Sequence, residues 1–168
     1  MKISLPYENY PWSTVLLSNL QNLILYFLGL YVIAQISIWI MIPFLFYLLF
    51  LEFKLLRNSC TKCYYYGKVC AFGKGRLSAL LFKKGDTSQF NARCITWKYM
   101  IPDLLVTVIP FVAGIYLLIK DFSWPVLGAI VAILLLSSMG NAYIRGNLAC
   151  KYCKQKDLGC PAYDLFNK

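Results

Sequence analysis

The sequence contains no histidine and only seven acidic residues among its 168. Without histidine the chain lacks the usual general base of Ser–His and Cys–His nucleophile pairs, the usual haem ligand and the nitrogen ligand of mixed zinc sites. Charged residues make up 14% of the chain, whereas soluble domains have about 25%. No recognisable catalytic motif is present, so the sequence favours a protein that is not an enzyme.

The chain has instead long blocks of apolar sequence, and hydrophobic residues make up 60% of it. Residues 9–51 carry no charged side chain. As one helix they would measure roughly 65 Å, whereas the hydrocarbon core of a bilayer is about 30 Å thick. We therefore predict two helices, over 13–31 and 38–56, joined by a turn at 32–37. The alternative is a surface helix up to Asn22 followed by one long tilted span.

A second pair of apolar blocks lies in the C-terminal half. We predict membrane helices over 100–119 and 126–144, separated by the polar loop 120–125. Pro102 and Asp103 suit the first turn of a helix, where a missing N–H and a negative charge are both tolerated. The sequence thus predicts an all-α integral membrane protein with four transmembrane helices.

The basic residues predict the orientation of these helices. With four spans, the N-terminus, the 57–98 segment and the C-terminal tail share one face, and all of the 17 Lys and Arg residues except Lys120 fall on it. An excess of Lys and Arg marks the cytoplasmic side. We expect a protein of the plasma membrane with cytosolic N- and C-termini and no cleaved signal peptide. Because the bases adjoin membrane segments, the net charge of +10 does not indicate a nucleic-acid partner.

Six of the seven cysteines fall into two copies of one spacing, C-x2-C-x6-C. We call them the first cysteine segment, Cys60–Cys70, and the second cysteine segment, Cys150–Cys160. A shift of 90 residues relates the two, and it also places the 120–125 loop opposite 30–35, where the first apolar block must turn. The pattern predicts two pseudo-repeated helical hairpins, each followed by a cytosolic Cys knot, related by an axis along the membrane normal.

This repeat predicts a serial division of the chain. Residues 1–75 form the first hairpin with its knot, 76–99 a cytosolic amphipathic connector, and 100–168 the second hairpin with its knot. Basic residues in the connector and just before it are expected to bind anionic lipid headgroups from a short interfacial helix. These lipid-headgroup residues are Lys74, Arg76, Lys83 and Lys84. The aromatic side chains of Tyr7, Tyr10 and Trp12 are expected to anchor the N-terminal end at the membrane interface.

The cysteine spacing indicates metal binding. The cytosol keeps thiols reduced, and a C-x2-C turn lets two sulfurs converge on one ion. Cys60, Cys63, Cys150 and Cys153 would make one tetrahedral site; alternatively, each segment holds its own three-cysteine site, with Cys94 completing the first. The candidate metal ligands are Cys60, Cys63, Cys70, Cys150, Cys153 and Cys160, with Cys94 as a further candidate.

Zn²⁺ is the expected ion, and an iron–sulfur cluster is the alternative, because spacing alone does not separate them. Lysines flank the thiols and are expected to lower their pKa. The leading hypothesis is a polytopic membrane protein whose zinc-like thiolate site is a structural module or a docking module for other membrane or cytosolic subunits. The alternatives are an iron–sulfur subunit in electron transfer, a soft-metal carrier, dithiol redox chemistry and lipidation of the cysteines.

Overall fold

The structure, a computed structural model, describes residues 6–91, 97–158 and 160. All regular elements in these ranges are helical, which confirms the all-α prediction. The α-helices are α1 (Trp12–Ala34), α2 (Ile38–Asn58), α3 (Lys74–Leu81), α4 (Ser88–Asn91), α5 (Trp97–Lys120), α6 (Trp124–Leu135) and α7 (Asn141–Tyr143). Two π-helical stretches, Leu136–Gly140 and Ile144–Ala149, come before and after α7 along the chain.

Four helical stretches are long and apolar enough to cross a membrane, as predicted. They are Trp12–Ala34, Ile38–Lys62, Met100–Lys120 and Trp124–Tyr152. Residues 9–51 therefore contain two helices and not one long span. The turn between them is shorter than predicted, because helix α1 continues to Ala34 and only residues 35–37 separate it from α2. Val32 and Ile33 keep the helical conformation since both are almost fully buried.

Helix α5 begins earlier than predicted, at Trp97. Pro102 is consequently the sixth residue of the helix and not part of its first turn. Proline has no N–H to donate to the carbonyl four residues earlier, and the carbonyl of Pro102 accepts a hydrogen bond from the Tyr47 hydroxyl at 2.7 Å. This bond ties α5 to α2.

The described packing falls into two compact units. Unit 1 comprises Met1–Asn19, Phe53–Ile95 and Ala142–Lys168, and unit 2 comprises Leu20–Glu52 and Thr96–Asn141. Each unit draws on both halves of the chain, and the serial domain boundaries stay a prediction.

Unit 2 is held by close helix contacts between small and branched side chains. Val32, Ala129 and Ile133 form one of its buried clusters. A Cβ added to Gly114 would lie 2.5 Å from the Ile130 side chain, so a larger residue at this position would require Ile130 to shift. Small residues at helix contacts are typical of membrane proteins, where packing rather than water exclusion drives association.

Candidate functional site

The first cysteine segment begins with a single 3-10 turn, in which the Cys63 N–H donates to the Cys60 carbonyl at 3.4 Å. Two further turn bonds follow. The Tyr66 N–H donates to the Cys63 carbonyl at 3.1 Å, and the Lys68 N–H donates to the Tyr65 carbonyl at 3.0 Å. The chain therefore coils tightly around the C-x2-C pair.

The second cysteine segment contains the same three bonds. The Cys153 N–H donates to the Cys150 carbonyl at 3.2 Å, the Lys156 N–H to the Cys153 carbonyl at 3.3 Å, and the Leu158 N–H to the Gln155 carbonyl at 3.2 Å. Each bond joins residues that follow their counterparts by 90 positions. The two segments thus share these turn bonds but not a whole backbone path, because Gly67 has a φ of 77° whereas its counterpart Asp157 has a φ of −72°.

Two hydrogen bonds join the segments reciprocally. The Tyr64 N–H donates to the side-chain oxygen of Gln155 at 2.8 Å. The Lys154 N–H donates to the Tyr65 hydroxyl at 3.1 Å. Both acceptor side chains are only 2% exposed. Because 64 and 154, and 65 and 155, are counterparts under the same shift, each segment binds the other in the same way, as in a local two-fold arrangement.

Helix α3 supports the first cysteine segment from one side. The Gly67 N–H donates to the Gly75 carbonyl at 3.1 Å. A Cβ added to Gly75 would lie 2.1 Å from the Tyr65 carbonyl oxygen and 2.5 Å from that of Lys68. Glycine is therefore required at position 75 for the helix to approach the backbone so closely.

Residues 7–10, which we call the N-terminal strap, bind both segments. The Tyr7 N–H donates to the Tyr152 carbonyl, and the Tyr10 N–H donates to the Val69 carbonyl, each at 3.0 Å. These bonds connect the beginning of the described chain to its end and to its middle.

The structure corrects the predicted role of Tyr10. Its side chain is only 4% exposed, its ring packs against Tyr65, and its hydroxyl donates to the Ala149 carbonyl at 2.5 Å. The Tyr10 side chain is therefore part of the protein core and is not an anchor at the membrane interface. Trp12, at 72% exposure, keeps the accessibility that an interface anchor requires.

Glu8 of the strap binds one cation from each cysteine segment. Its carboxylate pairs with Lys68 at 2.9 Å and with Lys154, and it accepts a hydrogen bond from the Tyr64 hydroxyl at 2.9 Å. The bond from Lys154, followed by that from Lys68, lowers the pKa of Glu8 to about 2. The pKa values of both lysines are raised by the same pairs.

Cys63 and Cys153 do not have the lowered pKa expected from neighbouring lysines. Burial raises the pKa of Cys63 to about 12 and also raises that of Cys153. Lys68 and Lys154 direct their charge toward Glu8. The opposing influence comes from the backbone, because hydrogen bonds from the Tyr65 and Gln155 N–H groups lower the pKa of Cys63 and Cys153 respectively.

The other flanking lysines also bind groups away from the thiols. Lys62 donates to the side chain of Gln89 at 2.6 Å, and Lys156 donates to the Lys151 carbonyl at 3.1 Å. The prediction failed because it used distance along the chain, whereas long lysine side chains reach several alternative acceptors.

All six cysteines of the two segments are free thiols of intermediate exposure, and no structural disulfide joins them. Cys63, Cys70 and Cys153 pack against one buried cluster, which includes Tyr10 and Tyr65. Among the described residues, no three thiols or carboxylates converge closely enough to surround an ion. Cys94 lies outside the described residues.

The predicted lipid-headgroup residues divide by exposure. Arg76, Lys83 and Lys84 are exposed, and Lys74 is half-buried. They lie in or just after α3, which ends at Leu81, before the turn expected at 84–86. The leucines on the same stretch, Leu77, Leu80 and Leu81, are 45%, 82% and 57% exposed.

Sequence reasoning missed three residues that organise the site, Glu8, Tyr65 and Gln155. Glu8 was a lone acid near the start of the chain, and Gln155 was one polar residue in a lysine-rich loop. The sequence did contain evidence for two of them, because Tyr65 and Gln155 occupy corresponding positions under the 90-residue shift.

These contacts give the site two chemical abilities. The six free thiols are donors for thiophilic ions, and amide N–H groups stabilise the negative charge of metal-bound thiolates. The strap and the reciprocal bonds hold the turns in register before any ion binds. In comparisons with known proteins, no protein family, curated protein or solved structure matches this chain.

Proposed function

We propose that this chain is a membrane protein whose two cysteine segments bind zinc or a similar thiophilic ion, and that the metal-bound region is a docking module for partner subunits. The observation that carries the proposal is the reciprocal pair of hydrogen bonds between Tyr64 and Gln155 and between Lys154 and Tyr65. Buried, mutually satisfied bonds of this kind preorganise ligands and reduce the cost of gathering them.

The proposed metal is held by the thiolates of the two segments. Zn²⁺ prefers four sulfur ligands in a tetrahedral arrangement and supplies folding energy in structural sites. Free thiols, three to each segment, satisfy the donor chemistry of such a site. The side chains must rotate toward a common point when the ion binds, while the turns that carry them stay in place.

The repeat is part of this proposal. Three equivalent turn bonds and two reciprocal side-chain bonds, all related by 90 residues, support descent of the two halves from one hairpin with a cysteine segment. The charge asymmetry supports a cytosolic position for the metal. Fusion of a reporter after residue 168 would test the orientation, since a cytosolic tail gives activity with a cytosolic reporter and none with an exported one.

The proposed docking role depends on a polar surface to which the N-terminal strap contributes Glu8. Glu8, Lys68 and Lys154 form an ion-paired patch that spans both cysteine segments. An ion that fixes the segments would fix this patch as well, giving a partner a defined polar surface.

Elemental analysis of anaerobically purified protein tests the function. Zinc bound in stoichiometric amount, and lost when Cys60→Ala is combined with Cys150→Ala, is the expected result. Bound iron and sulfide would contradict this proposal and indicate an electron-transfer subunit. Rapid exchange of a soft ion with a chelator would contradict it and indicate a carrier. Protein with free thiols and no metal contradicts the proposal. Cys94→Ala is the comparison variant, and a matching loss there would assign the seventh cysteine to the site.

We also propose that the stretch around α3 lies against anionic lipid headgroups. Exposed leucines beside exposed Arg76, Lys83 and Lys84 support it, because apolar and basic side chains together favour the interfacial layer. The combined change Lys83→Glu and Lys84→Glu should reduce co-purified anionic lipid, measured by mass spectrometry. Lys120→Glu is the matched control, and equal loss in both variants would contradict a specific lipid surface.

A further inference from the structure

The N-terminal strap contacts the two cysteine segments in the way that an added peptide strand contacts its receptor. Its Tyr7 forms an isolated parallel β-bridge with Cys153. The Tyr65 hydroxyl donates to the Tyr7 carbonyl at 2.6 Å, and the Val69 N–H donates to the side-chain oxygen of Asn9 at 3.0 Å. Each end of the strap also donates a backbone N–H to one of the segments. We call the surface that makes these contacts the strap cleft.

The side chains of the strap fit different parts of the strap cleft. The Tyr7 ring stacks on Tyr152 with the ring centroids 4.9 Å apart. The Tyr10 ring is buried against the cluster that includes Tyr65. Between these two rings, Glu8 pairs with one lysine from each cysteine segment. The strap cleft therefore fits an acidic side chain that lies between two aromatic ones.

These contacts divide into general and selective ones. Any extended segment can form the backbone bonds, which supply affinity, whereas side-chain pockets supply specificity. The ion pairs lie at the surface, because the side chains of Glu8, Lys68 and Lys154 are 54%, 39% and 30% exposed. Water competes for such pairs, so a second carboxylate can replace that of Glu8 without opening the protein core. The two lysines favour an acidic partner and repel a basic one.

We propose that the strap cleft is a peptide-recognition site, which the chain fills with its own strap and which a partner subunit occupies in its place. The partner inserts an extended segment with the order of side chains found in Tyr7–Tyr10, which is aromatic, acidic, any residue, aromatic. This inference rests on the docking role in the proposed function, and it assigns that role a site and a partner chemistry.

The tether gives the strap an advantage over a competing peptide. A segment joined to its site by a short linker has an effective concentration in the millimolar range. A free peptide should therefore bind weakly to the wild-type protein, and a change that weakens the strap should increase its binding. Truncation of a buried aromatic anchor has the largest effect on such a contact, so Tyr10→Ala is the variant of choice.

Binding of a synthetic peptide to the full-length protein in detergent tests the site. The probe is a fluorescent peptide with the sequence of residues 6–11, PYENYP, and its binding is measured by anisotropy. We expect at least about tenfold tighter binding to Tyr10→Ala than to the wild type. Equal binding to the two proteins, or no binding to a Tyr10→Ala protein that stays helical by circular dichroism, overturns the proposal. If Tyr10→Ala does not fold, Glu8→Lys replaces it, because it changes an exposed side chain and repels the strap from both lysines.

A peptide carrying Glu8→Lys is the matched control for charge. It should bind to Tyr10→Ala at least about tenfold more weakly than PYENYP, since its lysine meets Lys68 and Lys154. Adding Lys68→Glu and Lys154→Glu to the Tyr10→Ala protein should reverse this preference. Equal binding of the two peptides overturns the proposal.

Elemental analysis of the same samples separates this inference from the proposed metal site. Bound zinc without selective peptide binding overturns the recognition site and leaves the metal site standing. Selective peptide binding without bound zinc supports the recognition site and overturns the metal site.

Discussion

The two cysteine segments contain the same three turn bonds, but the rest of the chain supports them unequally. The first is held by helix α3, whose Gly75 lies directly against its carbonyls. The second follows a π-helical stretch, and among the described residues its contacts outside the first segment come chiefly from the strap, through Tyr7 and Tyr10. The cysteine spacing therefore determines the local turn, whereas the elements packed against each segment determine how firmly that turn is held.

The strongest predicted effect is that of removing the metal that we propose. Structural zinc contributes about 10–16 kcal/mol of apparent binding free energy in small domains, and we expect the second segment to depend on it more than the first. Hydrogen exchange measured with and without a strong chelator should show faster amide exchange at residues 150–158 than at 60–70. Equal deprotection of the two segments would contradict the unequal support.

Gly75→Ala should disrupt the packing of helix α3 against the first cysteine segment. The added methyl group meets two carbonyl oxygens at distances that no Cβ tolerates, so α3 must move away from the first segment. We expect a loss of about 1–3 kcal/mol or more in the free energy of unfolding, measured by denaturant titration in detergent.

Gly128→Ala is the matched control, because it lies in α6 with no neighbour within 4 Å of the new methyl group. It should be neutral or stabilising by up to about 1 kcal/mol, since alanine favours helix more than glycine does. A control as damaging as Gly75→Ala would show that the loss is not specific to the first segment.

Gln155→Leu removes one of the two reciprocal bonds and leaves the Tyr64 N–H buried without its acceptor. An unsatisfied buried donor costs about 1–3 kcal/mol. We expect zinc affinity to fall about 10–100-fold, as for other groups that orient metal ligands, in a competition titration with a chromogenic chelator.

Tyr65→Phe is the counterpart change in the first segment, and it removes the acceptor of the Lys154 N–H. If the two bonds act as a pair, the double variant should lose less affinity than the sum of the single variants. Strict additivity would show that the two bonds act independently.

The smallest effect concerns the ion pairs of Glu8, which link the segments at the exposed surface. Its pKa falls from 4.5 to about 2 on folding, so its contribution to stability is fully present above pH 4.5 and is lost as the pH falls through 2. Glu8→Gln should reduce the difference in stability between pH 5 and pH 2, measured by thermal unfolding. An unchanged difference would mean that Lys68 and Lys154 do not stabilise the strap.

Much of the architecture followed from the sequence because its causes are local and repeated. Long uncharged blocks dictated four helices, and the C-x2-C spacing indicated the turns that Cys63 and Cys153 adopt. The contacts that join the turns were not predictable in the same way. Gln155 binds a residue 91 positions away along the chain, and Glu8 binds residues 56 or more positions away. Nothing in the sequence around a single polar residue indicates such a distant partner. The thiol pKa prediction failed for the same reason.

The strap also has a consequence for the order in which the protein is made. Tyr10 and the carbonyl it binds at Ala149 are 139 residues apart. At about 5–20 residues per second, the ribosome needs roughly 7–28 s to deliver the second after the first. From the synthesis of Cys70 until that of Cys150, the nascent chain carries the thiols of the first segment without their counterparts. During synthesis these thiols are therefore open to oxidants until the second segment follows them from the ribosome.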